Sequence, residues 1–445
     1  MSANAVALAD EEPQAAGISD KIKPGPVMAP CYILVDVATG RILAERNSHQ
    51  HMFPASTTKT MTALVALTYG KLDQTVTVGP AAAATGESSI GLQVGETFTL
   101  ADLLRAALIK SANDSCVAIA EGVAGNVPAF VDLMNKKARE LGALDTHFAN
   151  PHGLHNPDHY TSAYDLALIA RADLRFPFFD ETIDTHETSI HGNAKVGAQR
   201  ILVNRNRLLF RWNQCDGVKT GYTKQAGRCL VATATRIDPA SGKPWRLLSV
   251  VLHAPDSWSD SYNLMTTEGF GKYTPTRVEP AGAPIVQANV PDGGSTEAVP
   301  ASDVMLPLLP GEQAGIVAKP HLWRLKAPIA KGQRIGTLVF NLEGKKLGSV
   351  PLVAADAVAV SLASRMLPLG AGIWPLGRKH GIELLAGLLV LISGCLLALR
   401  RNRKNVRYEQ TPARRGSPNR DGNQSRGGSK KSGPTGKTGR QTVRR

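Results

Sequence analysis

The sequence has few cysteines and none arranged to hold a metal. Five occur in 445 residues (Cys31, Cys116, Cys215, Cys229 and Cys395), odd in number and without a Cys-x-x-Cys pair. That excludes a disulfide-dense scaffold and a zinc ribbon. All five read as free, mostly buried thiols, with one disulfide among the first four left open. A complete export signal is missing too. Ala5-Val6-Ala7-Leu8-Ala9 before Asp10-Glu11-Glu12 has the form of an apolar segment ending in a small-residue cleavage site, without a basic start or a full apolar core. Residues 1–28 are expected to be a leader, the remnant of a signal peptide whose true start lies upstream. The folded part also lacks net charge. Of the formal +14, the last 46 residues carry 15 Lys and Arg against Glu409 and Asp421, leaving 36 bases and 35 acids in the other 399. A nucleic-acid-binding body is therefore not expected.

What remains is ordinary globular material, 43% hydrophobic and 20% charged, long enough for two or three folded units at roughly 100–200 residues each. From 29 to 277 strands and helices mix. Tyr32–Val37 and Arg41–Glu45 flank an Ala38-Thr39-Gly40 turn, and Leu230–Arg236 and Trp245–Leu252 form a second hairpin pattern. Ser56–Tyr69 reads as an apolar helix stopped by Gly70, and Leu100–Ala124 holds two more helical stretches. Strands at both ends with helices between predict an α/β unit, a mixed antiparallel sheet flanked by helices. From 278 to 366 helical periodicity gives way to short β-type runs (Ile285–Val290, Asp303–Leu306, Gly315–Ala318, Gly336–Leu342, Ser349–Leu352) among Gly and Pro, which predicts a small all-β domain.

A connector (367–380) leads to Gly381–Leu399, 19 residues with Glu383 as the single charge. A bilayer crossing takes about 20 apolar residues, so the run is expected to be a transmembrane helix. Arg400, Arg401, Arg403, Lys404 and Arg407 follow it directly, which places the 400–445 tail on the cytoplasmic side and the preceding domains outside. The tail itself, rich in Gly, Ser, Asn and Arg, is expected to be a disordered, solvated topology anchor.

The chemistry begins at Pro54-Ala55-Ser56-Thr57-Thr58-Lys59, at the mouth of the apolar helix. A serine in a first helical turn sits near free backbone N–H groups, and a lysine three residues on shares its face and can reach its oxygen. A desolvated lysine there, near other cations, loses its proton more readily and can act as a base. Ser111-Ala112-Asn113, after the helical Leu103–Lys110, offers a hydroxyl and an amide two residues apart. Lys219-Thr220-Gly221, expected just before a strand, offers a cation and a backbone with no side chain to obstruct a ligand. Each motif alone is weak; in this order they match the Ser-x-x-Lys, Ser-x-Asn and Lys-Thr-Gly set of serine acyl-transfer enzymes.

With these motifs, and with Ser89-Ile90-Gly91-Leu92, Asn150-Pro151-His152-Gly153-Leu154, His159–Leu166, Asn204–Leu209 and, in the second unit, Ala327–Gln333 and Ile335–Leu338, the chain resembles the D-alanyl-D-alanine carboxypeptidases, low-molecular-weight penicillin-binding proteins, over most of residues 28–365. The resemblance implies a β-lactamase/transpeptidase-like fold and a bacterial, membrane-held enzyme that removes the terminal D-alanine of peptidoglycan pentapeptide stems. It makes Ser56 the acylated nucleophile, Lys59 its base and Ser111 the proton relay. Asn113, Lys219, Thr220, Gly221 and Tyr222 become substrate-binding residues, with the oxyanion held by the N–H groups of Ser56 and Tyr222. It implies β-lactams as acylating inhibitors, no cofactor and no metal.

Two departures stand out. Ala112 replaces the usual glycine of the second motif, and no arginine follows the strand ending at Leu252, where the family often uses one for the substrate carboxylate. Arg205, Arg207 and Arg228 are the available substitutes. A β-lactamase is the nearest rival, disfavoured by the absence of a Glu-x-x-Leu-Asn segment and by the second domain. A non-catalytic penicillin- or stem-binding scaffold is the rival of another class. His147, His152, His155 and His159 fall in a Pro- and Gly-rich loop without metal-ligand spacing, and the His159 segment is expected in the cleft wall.

Overall fold

Thr39 and Gly40 close the first hairpin. In the computed structural model, which describes residues 22, 24–193, 199–361 and 389–393, strands β1 (Cys31–Asp36) and β2 (Ile42–Arg46) pair antiparallel. The Asp36 carboxylate accepts from the Thr39 N–H at 2.8 Å, and Gly40 takes the left-handed φ of +75° that the turn requires.

The predicted Ser56–Tyr69 helix starts as a 3-10 turn over Ala55–Thr58 and becomes helix α1 (Lys59–Tyr69). Its residues from Lys59 to Ala66 are all buried, as a helix apolar on every side must be. A ribbon of β3 (Thr75–Thr77) and β4 (Thr97–Thr99), with the one-turn helix α2 (Pro80–Ala83) between them, leads to α3 (Leu100–Arg105). Thr99 caps α3 by accepting from the Asp102 N–H at 3.1 Å. α3 widens into a π-helical turn over Ala106–Lys110 and ends at Ser111, whose φ of 65° reverses the chain. Helices α4 (Asn113–Ala124), α5 (Val127–Leu141) and α6 (Ala163–Asp173) complete the helical layer.

After a second ribbon, β5 (Glu187–Ile190) with β6 (Arg200–Val203), come the long strands β7 (Cys215–Thr223), β8 (Gly227–Ile237) and β9 (Pro244–Ala254). The main sheet is antiparallel throughout, in the order β2-β1-β9-β8-β7. Alternate residues point to opposite faces. Ile33, Val35, Val231 and Val250 pack with Met61, Leu64 and Phe130 of the helices. Leu34, Leu230, Leu247 and Val251 pack on the other side with Trp258, Leu264 and Phe270. The predicted sheet flanked by helices is present. Among the described residues β7 ends the sheet, beside the turn that carries Ser56.

The predicted all-β region is present as strands. β10 (Thr274–Glu279) pairs with β13 (Val304–Leu308), and β11 (Val286–Val290), β12 (Gly294–Pro300), β14 (Ile316–Leu322), β15 (Arg334–Leu342) and β16 (Lys345–Ala354) form a sheet in the order β11-β12-β16-β15-β14. Leu306, Ile335, Leu338, Phe340 and Leu352 are its core. It meets the first unit at the β1–β2 turn. Arg41, 4% exposed, donates to the Pro307 carbonyl and at 2.7 Å to the Glu312 carboxylate, and the Ser349 N–H donates to the Thr39 carbonyl at 3.1 Å.

Beyond Ser361 the structure describes only 389–393, which are helical. The connector, most of the predicted 381–399 span, the basic tail and most of the 1–28 leader lie outside the described residues. Among the described residues no single helix is long and apolar enough to cross a membrane.

Candidate active site

Ser56 sits on a turn built to expose it. Ala55 before it has a left-handed φ of 48°, rare for a residue with a side chain and held here by its neighbours. The Thr58 hydroxyl donates to the Ala55 carbonyl at 2.8 Å and accepts from His159 Nε2 at 2.8 Å. His159 Nδ1 in turn accepts from the Ala149 N–H at 3.0 Å, which fixes the neutral tautomer. Burial first, then nearby cations, pushes the His159 pKa down to about 3. His159 itself lies behind the Ser56 turn, 2% exposed, while Tyr160 of the same segment lines a cavity beside that turn with His51, Met52 and Phe53. Gly153, at φ +91°, presses on the same turn, and a Cβ there would stand 1.9 Å from the Ala55 carbonyl oxygen.

Lys59 reaches Ser56 as its spacing predicts. Its Nζ donates to Ser56 Oγ at 2.9 Å, Asn113 Oδ1 at 2.7 Å and the His152 carbonyl at 2.7 Å. Desolvation is the main reason its pKa falls to about 8; the charge of Arg205 lowers it further, and Cys116 and Asp114 act the other way. About one amine in ten is then neutral at pH 7, with a lone pair aimed at the Ser56 proton. The three acceptors satisfy the ammonium form in the remainder.

The second motif forms the facing wall. Ser111 is 3% exposed and Ala112 fully buried, so the extra methyl of Ala112 is accommodated in the core. The Asn113 N–H donates to the Ser88 carbonyl at 2.9 Å. Asp114 accepts from the N–H groups of Ile90, Leu92 and Ser115, and Arg200 donates to the Ile90 and Gly91 carbonyls and pairs with Glu96 at 2.8 Å. Together they fasten the Ser88–Leu92 loop over the site. The Ser111 hydroxyl makes no hydrogen bond to Ser56 or Lys59.

The third motif lies inside β7, not before it. Lys219 is 1% exposed and donates to the Thr220 carbonyl at 2.9 Å. Lys219 and Lys59 both act on Cys116, whose thiol burial nonetheless pushes up to about 11, so the two cations converge on one region. Gly221 brings β7 against the nucleophile turn: a Cβ there would meet Pro54 O at 2.9 Å and the Ser56 nitrogen at 3.0 Å. Tyr222 follows, half-buried, with the Arg228 guanidinium 5.9 Å from its ring centroid. Of the three candidate arginines, Arg205 is the one whose charge reaches Lys59, and it donates to Ser88 Oγ at 2.9 Å. Arg207 is exposed and Arg228 turns to the Pro255 carbonyl. Asp256 caps the helix Ser257–Asn263.

The sequence is matched over residues 19–256 by the family described as D-alanyl-D-alanine carboxypeptidase, and over 273–360 by the penicillin-binding protein 5 C-terminal domain. The chain belongs to the D-alanyl-D-alanine carboxypeptidase family. It is 36% identical to the D-alanyl-D-alanine carboxypeptidase DacC of Escherichia coli over 369 residues, 78% of this chain and 88% of that one. With the Bacillus subtilis carboxypeptidase DacF it shares 34% identity over 335 residues, 73% of this chain and 84% of that one. The structure is similar to penicillin-binding protein 5 from Haemophilus influenzae, with a TM-score of 0.57 and 33% identity over 76% of this chain and 99% of that one.

In this D-alanyl-D-alanine carboxypeptidase, sequence reasoning missed the parts that hold the catalytic groups. The His152 carbonyl is a backbone acceptor and gives no side-chain signal. Asn150 shapes that loop by accepting from the Gly153 N–H at 2.7 Å and donating to the Leu154 carbonyl at 2.9 Å; Asn-Pro-His-Gly is the readable trace of it. The histidines disperse into separate roles, and among the described residues no three His, Cys, Asp or Glu side chains form a metal-binding group. The thiols of Cys31, Cys116, Cys215 and Cys229 are free and buried, so the disulfide left open is not formed among them.

Proposed function

We propose that this chain removes the terminal D-alanine from peptidoglycan pentapeptide stems through an acyl-enzyme on Ser56, and that β-lactams acylate the same oxygen. The observation that carries this reading is the buried Lys59 amine, 2.9 Å from Ser56 Oγ, with its pKa lowered to about 8. Neutral Lys59 takes the Ser56 proton as Oγ attacks the carbonyl between the two D-alanines. The N–H groups of Ser56 and Tyr222, beside each other because Gly221 lets β7 approach, hold the oxyanion. Lys219, Thr220 and Arg205 take the terminal carboxylate. The proton passes by way of Ser111 to the leaving nitrogen, and free D-alanine departs. Water then attacks the ester, Lys59 takes its proton, and Ser56 is restored.

The 29–277 and 278–366 units are read as catalytic and supporting domains. The 381–399 run is read as the anchor in the cytoplasmic membrane, with both domains outside and the tail inside. Protease added to spheroplasts should digest the two domains and spare a tag placed after Arg445; the reverse pattern overturns that placement. The catalytic reading is tested with the full chain in detergent and a pentapeptide ending in D-Ala-D-Ala. Free D-alanine should accumulate, with little β-lactam hydrolysis in parallel, and Ser56→Ala should lose both D-alanine release and the penicillin adduct seen by intact mass. An adduct that persists in Ser56→Ala places the nucleophile elsewhere.

A further inference from the structure

The segment 313–342 holds five cations (Lys319, Arg324, Lys326, Lys331 and Arg334) and no Asp or Glu. It carries the edge strand β14, the loop after it and β15. Lys331 has Asp356 3.9 Å away. Among the described residues the other four, all exposed, have no carboxylate partner. The catalytic reading uses none of them.

The strand register gathers this charge on one face. Leu338 and Phe340 of β15 belong to the β-domain core, and their neighbours on β14, Pro320 and Ala318, share that side. Val317, Lys319 and His321 alternate to the other side, where Val339 and Thr337 opposite them are half-buried. Pairing runs one residue past β14, since the Trp323 N–H donates to the Ile335 carbonyl at 3.0 Å, and Trp323 continues the same alternation. Val317 is 53% and Trp323 51% exposed, two large apolar side chains set among cations. The Arg334 guanidinium lies 5.0 Å from the Trp323 ring centroid and steadies the indole.

The strand itself narrows what can cover this face. A sheet edge invites a partner strand, but Pro320 offers no N–H there and Lys319 adds a charge, two devices by which edges refuse strand addition. An anionic bilayer surface needs no strand. Trp belongs at the headgroup level, and Lys and Arg around it are drawn to anionic headgroups. The described chain leaves the β-domain at Ser361, 20 residues before the apolar run that starts at Gly381. At about 3.5 Å per extended residue, that run ties the domain within about 70 Å of a bilayer it enters.

We propose that this face of the β-domain rests on anionic phospholipid headgroups, with Trp323 and Val317 entering the interface and Lys319, Arg324, Lys326 and Arg334 meeting lipid phosphates. The proposal rests on the anchor reading above. Arg41 of the catalytic unit pairs with Glu312, four residues before β14, so the docked face also sets how that unit is held over the bilayer. The test uses the full chain reconstituted in vesicles of phosphatidylcholine with brominated acyl chains, with and without added phosphatidylglycerol. The Trp323 signal is the tryptophan fluorescence of wild type less that of Trp323→Phe. Its quenching should be at least about twofold stronger with phosphatidylglycerol, and high salt or the combined Lys319→Glu, Arg324→Glu and Lys326→Glu substitutions should remove the difference. Retention in the vesicles through an alkaline wash reports the anchor, and the penicillin adduct on Ser56 reports that each variant is folded. Retained protein with equal Trp323 quenching in both vesicles overturns the docking face and leaves the anchor standing. Shielding of Trp323 from dissolved acrylamide by polyglutamate, but not by anionic vesicles, also overturns it and marks an acidic protein as the partner. Loss of the protein from both vesicles at the wash overturns the anchor and the docking face together.

Discussion

Between pH 6 and 9 the acylation rate of Ser56 should follow the neutral fraction of Lys59. An ordinary lysine, near 10.4, is neutral in roughly one molecule in 2,500 at pH 7. Burial, with Arg205 nearby, brings Lys59 to about 8, so about one in ten is neutral at pH 7, half at pH 8 and nine-tenths at pH 9. The gain over an ordinary lysine at pH 7 is a few hundred-fold in available base. The assay is stopped-flow acylation by a fluorescent penicillin, with the second-order rate constant plotted against pH. It should climb nearly tenfold per unit below about pH 7.5 and level off above about 8.5. The same group leaves a mark on stability. Its folded pKa lies below its unfolded one, so between about 8 and 10.5 the unfolded chain binds more protons and stability rises with pH. Wild type should therefore gain on Lys59→Met by about 3 kcal/mol across that window, whatever the offset at pH 7. An acylation profile flat from pH 6 to 9 would refute the reasoning, as would the same rise persisting in Lys59→Ala.

Three further outcomes are expected. Lys59→Ala should lower the acylation rate more than about 100-fold, measured with the same penicillin; a near-normal rate means another group takes the proton. Gly153→Ala places a Cβ 1.9 Å from the Ala55 carbonyl at a φ of +91°, so the nucleophile turn must shift; thermal unfolding should show a loss of about 2 kcal/mol or more, with slower acylation. Asp173 is fully buried, neither carboxylate oxygen has a hydrogen-bond partner, and burial holds its pKa well above the usual range. Ionisation on the unfolded side then costs wild type stability as pH rises above about 4. Asp173→Asn escapes that cost, so urea unfolding should show its advantage over wild type growing between pH 4 and 7.

Short-range spacing made much of this legible. Ser56 and Lys59 lie three apart at a helix start, and Asn113 follows a helix stop; each needs only local geometry, and each proved to be where that geometry puts it. Lys219-Thr220-Gly221 reads locally as lying just before a strand, whereas pairing with β8 carries the strand back to Cys215 and encloses the motif. β12 opens Gly-Ser-Thr-Glu, a polar run, and becomes a strand because β11 and β16 flank it. The left-handed backbones of Ala55 and Ser111 are imposed by distant packing and leave no local trace. The same holds for the His152 carbonyl on Lys59, a contact 93 residues apart.

The three acceptors around Lys59 bear on how a drug would be handled. None is a carboxylate, and the nearby Asp114 spends its oxygens on the N–H groups of the 90–92 loop and of Ser115. On the mechanism proposed above, one amine serves both halves of each turnover. A departing D-alanine clears the way for water to meet that amine. A ring-opened β-lactam keeps its amine tethered to the acyl group and stays in the way. On that mechanism such a compound would hold each copy as its acyl-enzyme, and the protein would act less as a catalyst than as a stoichiometric sponge. How much drug a cell absorbs this way is set by how many copies it displays, and the time to recover by how fast new copies are made.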